Sequence, residues 1–385
     1  MKTITKSYYF ELRPTQKQKV LLDKHFGCTR FVYNYFLNER IKQYKANEKI
    51  DRFYDQSRIL TNLKKQTVYS WLKEVNCQSL QSSLKNLDAA YNYFYRGYTN
   101  LPKFKSKRSR NSFTVPQNSK LKGNRIYIPK FKGGIKCIVH RECRGKVRSM
   151  VVSKTPTGKY FVSILVEEQC QSMGKTGKIC GVDLGIKDFA ITSDGVRFEN
   201  HRYTLKYEKK LADAQRHLSR KQIGSNSYEN QRRKVAKIYE KVVNSRRDNL
   251  HKLSHQLVSE YDFIALEDLA IKKMMRNRKL AKHIADASWG TFVKFVEYKA
   301  DWNGKQVVKI NRYFPSSKTC SVCGWIKKDL TLADREWTCE NGHHLDRDIN
   351  AANNILKEGL KTIGVGLSDN MGGSIEAHSS FAFSN

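Results

Sequence analysis

Apolar and polar positions change rhythm along the chain, and each rhythm predicts a different kind of element. The opening YYFELRP alternates residue by residue, as a strand does, and stops at Pro14. From Thr15 to about Leu101 apolar residues recur at three- and four-residue steps with no proline, as in TQKQKVLLDKHFGCTRFVYNYFLNERIKQY, and this predicts helices. Aromatic stripes run through this stretch, at Phe31, Tyr33, Tyr35 and Phe36 and again at Tyr91, Tyr93, Phe94 and Tyr95. Helix packing is the default for such stripes and stacking on bases is the rival. The segment PKFKSKRSR, residues 102–110, is a basic linker. Strand signals follow in SFTVPQ, RIYIPKF, IKCIVH and VRSMVVSKTPTGKYFVSILVEE, separated by glycine-containing turns. They predict a small β-barrel or curled sheet, which the strand Tyr8–Arg13 is placed to complete.

A hinge, QSMGKTGK, marks a second boundary, and residues 178–360 follow another rhythm. KICGVDLG reads as a buried strand carrying one acid, with FAITSDG following across a turn. A long charged helical stretch spans about 202–258, and YDFIALEDL is a second buried strand with an acid. ASWGTFVKFVEYKADWNG reads as a helix, VVKINRYF as a strand, and DRDINAANNILKEGL as a closing helix. Alternating strands and helices predict a mixed α/β unit. The last ~25 residues, rich in glycine and serine, are expected to be disordered.

At 385 residues the chain has room for two or three domains. Its 72 basic residues against 36 acidic ones give a formal charge of +36. A compact fold repels itself at such a charge unless a polyanion neutralises it, so nucleic acid is the expected partner. There is no apolar run of ~20 residues and no signal-like N-terminus, so a soluble, cytoplasmic protein without membrane contact is expected. Cys28, Cys77, Cys137, Cys143, Cys170 and Cys180 are scattered and read as reduced thiols.

Asp183, Glu267 and Asp348 each sit on an otherwise apolar element. Burying a carboxylate beside Val, Ile and Leu costs several kcal/mol unless a cation or hydrogen bonds compensate. Singly, each is more ordinarily a cap or an ion-pair partner. Together, on strand, strand and helix, they point to shared divalent metal, Mg²⁺ or Mn²⁺, of the kind that activates water against a phosphodiester. Asp188 and Asp268 read as turn or surface acids. The knuckle pattern Cys320-x2-Cys323-x15-Cys339-x3-His343 has structural-zinc spacing, with His343 favoured as fourth ligand and His344 as rival where a cysteine near Gly342 would be usual. His251 and His255, four apart, read as residues of a basic helix face rather than a metal pair. The run Lys272, Lys273, Arg276, Arg278 and Lys279 reads as a loop placed to meet a nucleic-acid strand.

The segments GVDLGIKDFA, FIALEDL, ASWGTF, SSKTCSVCG and LDRDINAANNI, in that order, resemble the transposon-encoded TnpB family, compact relatives of type V CRISPR nucleases. LRPTQKQKVLLDKHFGCTRFVYNYFL is similar, more loosely, to the family's N-terminal segment. The resemblance implies an RNase H-like (RuvC) nuclease domain with an inserted zinc ribbon, a helical recognition domain and a small wedge-type β-barrel. Residues 1–14 would be the first barrel strand, 15–110 the recognition domain and linker, and 111–172 the rest of the barrel. Residues 173–316 would be the first part of the nuclease, 317–344 the ribbon, 345–360 the last nuclease helix and 361–385 a tail. The family's nuclease acids fall on Asp183, Glu267 and Asp348, with Asp346 ranked below Asp348, and its zinc cysteines on Cys320, Cys323 and Cys339. The resemblance further implies a guide RNA transcribed from the transposon end, a double-stranded DNA target with a short flanking motif, and a monomer with its RNA. The function it implies is RNA-guided DNA endonuclease. Rival functions are a nuclease-inactive RNA-guided DNA-binding regulator and a strand-transfer transposase.

Overall fold

The computed structural model describes residues 2–107, 110–331 and 333–364. Two compact units emerge, Thr3–Gln169 and the chain from Cys170 onward.

The first unit opens on β1 (Lys2–Arg13), followed by α1 (Gln16–Lys45). Thr15 starts α1 with a reciprocal cap: its side chain accepts from the Gln18 N–H while the Gln18 side chain takes the Thr15 N–H. α2 (Phe53–Leu63), a 3-10 segment (Thr67–Glu74) and α3 (Cys77–Tyr95) pack against α1 around Val32, Phe36, Leu72, Leu80 and Leu84. The aromatic stripes divide here: Tyr33 and Phe36 are buried, whereas Tyr93 and Tyr95 face outward. β2 (Asn111–Val115), β3 (Lys120–Lys122), β4 (Arg125–Tyr127), β5 (Ile135–Ile138), β6 (Lys146–Lys154) and β7 (Tyr160–Cys170) join β1 in one sheet, ordered β2-β6-β7-β1-β5-β4-β3. The N-terminal strand is thus central. Its inward residues Tyr8, Phe10 and Leu12 meet Ile126, Ile135, Val152 and Ile164 in the core. Among the described residues the order ends at β2 and β3 without pairing them, so of the barrel or curled sheet expected the sheet is a half-barrel.

The second unit is built on β8 (Ile179–Leu184), β9 (Asp188–Thr192) and β10 (Arg197–Glu199), then α4 (Tyr203–Ser219) and α5 (Asn226–Glu260). β11 (Phe263–Glu267), α6 (Ile271–Met274), α7 (Arg278–Ala287), α8 (Trp289–Trp302) and β12 (Gln306–Ile310) follow. The hairpin β13 (Glu336–Thr338) and β14 (His344–Asp346) leads into α9 (Arg347–Thr362). The five-stranded order is β10-β9-β8-β11-β12, with an antiparallel meander on one side and β11 parallel to both its neighbours. β11 is buried on both faces, which explains its unbroken apolar run. Ile264 and Leu266 meet Leu257, Phe292 and Val296 in one core, while Phe263 and Ala265 meet Ile355 and Leu360 of α9 in the other.

Several expectations shift. The basic run at 272–279 is not one loop: Lys272 and Lys273 lie in α6, Arg276 in the turn after it, and Arg278 and Lys279 open α7, which Asn277 caps. Asp286 at the end of α7 accepts from both N–H and hydroxyl of Thr204 on α4 and pairs with Arg246 of α5, so three helices are tied at one carboxylate. α9 runs to Thr362, past the expected end at 360, and the tail from 365 to 385 lies outside the described residues. Among the described residues no helix is long and apolar enough to cross a membrane.

Candidate active site and metal centre

The parallel register of β8 and β11 sets Val182 opposite Leu266, so Asp183 and Glu267 come next, side by side at the strands' carboxyl ends. α9 supplies the third acid. It crosses β8 so closely that a Cβ on Gly181 would lie 2.0 Å from the Ala352 carbonyl oxygen and 2.6 Å from the Leu356 nitrogen. Gly359 repeats the device over β11, where a Cβ would meet that of Ala265 at 2.6 Å. Counting two residues up β8 from Gly181 and one turn back along α9 from Ala352 covers about 6 Å in each element. Both paths end at Asp183 and Asp348.

The electrostatics agree. Burial pushes the Asp183 carboxyl up to about 8, helped by the charges of Glu267 and Asp348 and opposed by Arg347. Burial also raises Glu267, while a hydrogen bond from the Ser316 hydroxyl pulls it back. Asp348 takes hydrogen bonds from the Arg347 guanidinium at 2.9 and 3.0 Å and lies 3.5 Å from Arg335. Asp183 thus stands in the field of both other acids, and carboxylates are the hard oxygen donors that a divalent cation takes. Asp346 is engaged elsewhere, since its carboxylate caps α9 through the Asp348 and Ile349 N–H groups and pairs with Arg197. Asp188 pairs with Arg197 as well, and Asp268 with Arg312.

The knuckle lies just upstream of α9. The ligand atoms of Cys320, Cys323, Cys339 and His343 all fall within 4.8 Å of one another. Cys323 and Cys339 sulfurs are 3.8 Å apart, and His343 Nδ1 stands 3.9 Å from Cys320 Sγ and 3.1 Å from Cys339 Sγ. A tetrahedron with Zn–S bonds of about 2.3 Å has edges near 3.8 Å, so this set fits zinc. A backbone N–H from Trp325 holds the Cys323 thiol down at about 6. His344 is turned away on β14, its Nδ1 3.2 Å from the Thr338 hydroxyl and its Nε2 3.4 Å from Glu336. His251 stacks on Phe295 at 4.0 Å, as a residue of a helix face.

The chain thus carries two acids at neighbouring strand ends, a third in the first turn of α9, a thiolate knuckle and a strong excess of basic residues. Family models match three stretches: one described as "Probable transposase" over residues 161–278, one as "Cas12f1-like, TNB domain" over 289–355, and one as "Helix-turn-helix domain" over 1–49. In the last stretch the described residues form β1 and a single long helix. A "Putative RNA-guided DNA endonuclease" of Streptomyces pristinaespiralis is 34% identical over 94% of this chain and 90% of its own length. The "Putative RNA-guided DNA endonuclease InsQ" of Escherichia coli K12 is 30% identical over 94% of each. The chain belongs to the TnpB family. A solved structure described as the Cas12f1-sgRNA-target DNA complex shares the fold, with TM-score 0.55 at 12% identity over 92% of this chain and 98% of that one.

Sequence reasoning missed Ser316, Asn350, Asn354 and Gly181. The spacing of Asn350 and Asn354, four apart on the apolar face of α9 beside Ala351 and Ile355, was the available signal.

Proposed function

We propose that this chain, a transposon-associated RNA-guided DNA endonuclease, cuts target DNA by divalent-metal-dependent hydrolysis at Asp183, Glu267 and Asp348. The observation that carries the assignment is the placement of the acids: the β8–β11 register sets Asp183 beside Glu267, and the close approach of α9 to Gly181 brings Asp348 to the same strand ends. Membership in the family and the names of its relatives support the guided activity. The order β10-β9-β8-β11-β12, a meander continued by two parallel strands, supports an RNase H-like nuclease core.

Asp183, Glu267 and Asp348 hold the metal, Mg²⁺ or Mn²⁺. When bound, such ions activate water and stabilise the leaving oxygen of a phosphodiester. Glu267 is kept in place by the Ser316 hydroxyl, and the Arg347 guanidinium donates to the Asp348 carboxylate. Cys320, Cys323, Cys339 and His343 hold zinc as a closed structural set that leaves no position for water. The half-barrel and the α1–α3 bundle serve as wedge and recognition parts. The excess of basic residues neutralises a guide RNA, copied from the transposon end, and its heteroduplex with one DNA strand. The protein reads a short flanking motif on the duplex, and base pairing chooses the target.

The test is cleavage of a plasmid carrying a guide-matched target by RNA-loaded protein. Asp183→Ala should abolish cutting and leave guide-dependent DNA binding intact. Cutting at the wild-type rate by that variant would remove the three acids from the mechanism.

A further inference from the structure

The knuckle is stitched to the nuclease helix by side chains with no ligand role. Asn350 of α9 is 2% exposed, accepts from the Ser321 N–H at 2.7 Å and donates to the Thr319 carbonyl at 2.7 Å. Asn354, one turn further and 4% exposed, donates to the Ser316 carbonyl at 2.8 Å and the Thr319 carbonyl at 2.6 Å. Lys357 closes the series by donating to the Ser321 carbonyl at 2.6 Å. These carbonyls and N–H groups belong to residues 316–321, the segment that enters the knuckle at Cys320. The same Ser316 donates its hydroxyl to Glu267 at the end of β11.

Two of the three acids therefore share one polar clamp. Asp348 rides on α9, and Glu267 is held by a residue that α9 itself holds through Asn354. A buried amide this fully engaged is expensive to replace, since each orphaned carbonyl keeps its desolvation penalty.

We infer that Asn354 and Ser316 are positioning residues that set the spacing of Glu267 and Asp348 for the divalent ion and tie that spacing to the zinc knuckle. The inference rests on the proposed metal site. Without the Ser316 hydroxyl, Glu267 is free to turn from the orientation the ion needs. Without the Asn354 amide, the segment carrying Ser316 loses its seat on α9, and both acids drift relative to each other.

The experiment is Mn²⁺ binding to full-length, RNA-loaded protein followed by electron paramagnetic resonance, with zinc content measured on the same samples. Wild-type protein should show a site that Asp183→Ala removes; its absence would overturn the metal assignment itself. Ser316→Ala and Asn354→Asp should each weaken that site about tenfold, as outer partners of metal ligands commonly do. Ser316→Thr, which keeps the hydroxyl, should restore it, and Ser316→Ala should keep one zinc per chain. Wild-type Mn²⁺ affinity in Ser316→Ala, or no recovery in Ser316→Thr, would overturn the clamp.

Discussion

Gly181→Ala is the substitution that most directly probes how α9 brings its acid to β8. A Cβ at this position would lie 2.0 Å from the Ala352 carbonyl oxygen, whereas real Cβ atoms essentially never come within 3.0 Å of such an atom. The obstruction is backbone on both sides, so no side chain can swing away, and the helix must retreat by about 1 Å. Overpacking of this sort costs about 1–3 kcal/mol. For a unit of this size that lowers the melting temperature by roughly 3–10 °C. The catalytic effect should be larger than the stability effect, because Asp348 lies one turn from the contact. A misplacement of about 1 Å in a reacting constellation costs on the order of 10²-fold in rate. The assay is single-turnover plasmid cleavage beside a thermal melt and a guide-binding measurement. Gly27→Ala on α1 is the control, since a Cβ there meets nothing within 4 Å and alanine favours helix by up to about 1 kcal/mol. Wild-type cleavage and an unchanged melt in Gly181→Ala would refute the close approach and with it the placement of Asp348.

Other outcomes follow from single residues. The folded Asp183 carboxyl, held up near 8 by burial and its acidic neighbours, lies above its unfolded value, so the folded state carries an extra proton between the two. Stability without divalent ion should therefore be greatest below this window and fall by a few kcal/mol as pH rises through it. Asp183→Asn or added Mn²⁺ should flatten that decline in urea melts taken from pH 5 to 8. His343→Ala should drop zinc below one per chain by atomic absorption, whereas His344→Ala should keep it and His343→Cys should preserve it with a fourth thiolate. Asp286→Ala should cost about 3 kcal/mol in urea unfolding, because it leaves the Arg246 guanidinium and the Thr204 N–H without their shared acceptor.

The strands bearing Asp183 and Glu267 were legible because an acid inside an apolar run is costly to bury and so stands out. The choice of Asp348 over Asp346 came from resemblance alone; the physical distinction, a helix cap paired with Arg197, needs coordinates. The knuckle spacing favours His343 but leaves His344 as a rival. The β13–β14 ladder, which pairs His344 with Thr338, separates them. α7 was hidden because Arg278, Lys279, Lys282 and Asp286 are spread among its apolar residues, yet Ile284 and Ala287 are buried and its end is fixed by Asp286. The clamp was hidden for the opposite reason: serine and asparagine read as solvent-facing until their partners are seen to be backbone groups of a distant segment.

The most direct test of the central claim is Mn²⁺- or Mg²⁺-dependent cleavage of a guide-matched plasmid by RNA-loaded protein purified with its own locus. Wild type and Asp183→Ala would be compared for both cutting and target binding. The account predicts a guide-dependent cut by the wild type, and in the variant retained binding with no cut. A variant that still cuts at the wild-type rate, or a wild type that binds a discrete RNA and its target yet never cuts, would contradict it.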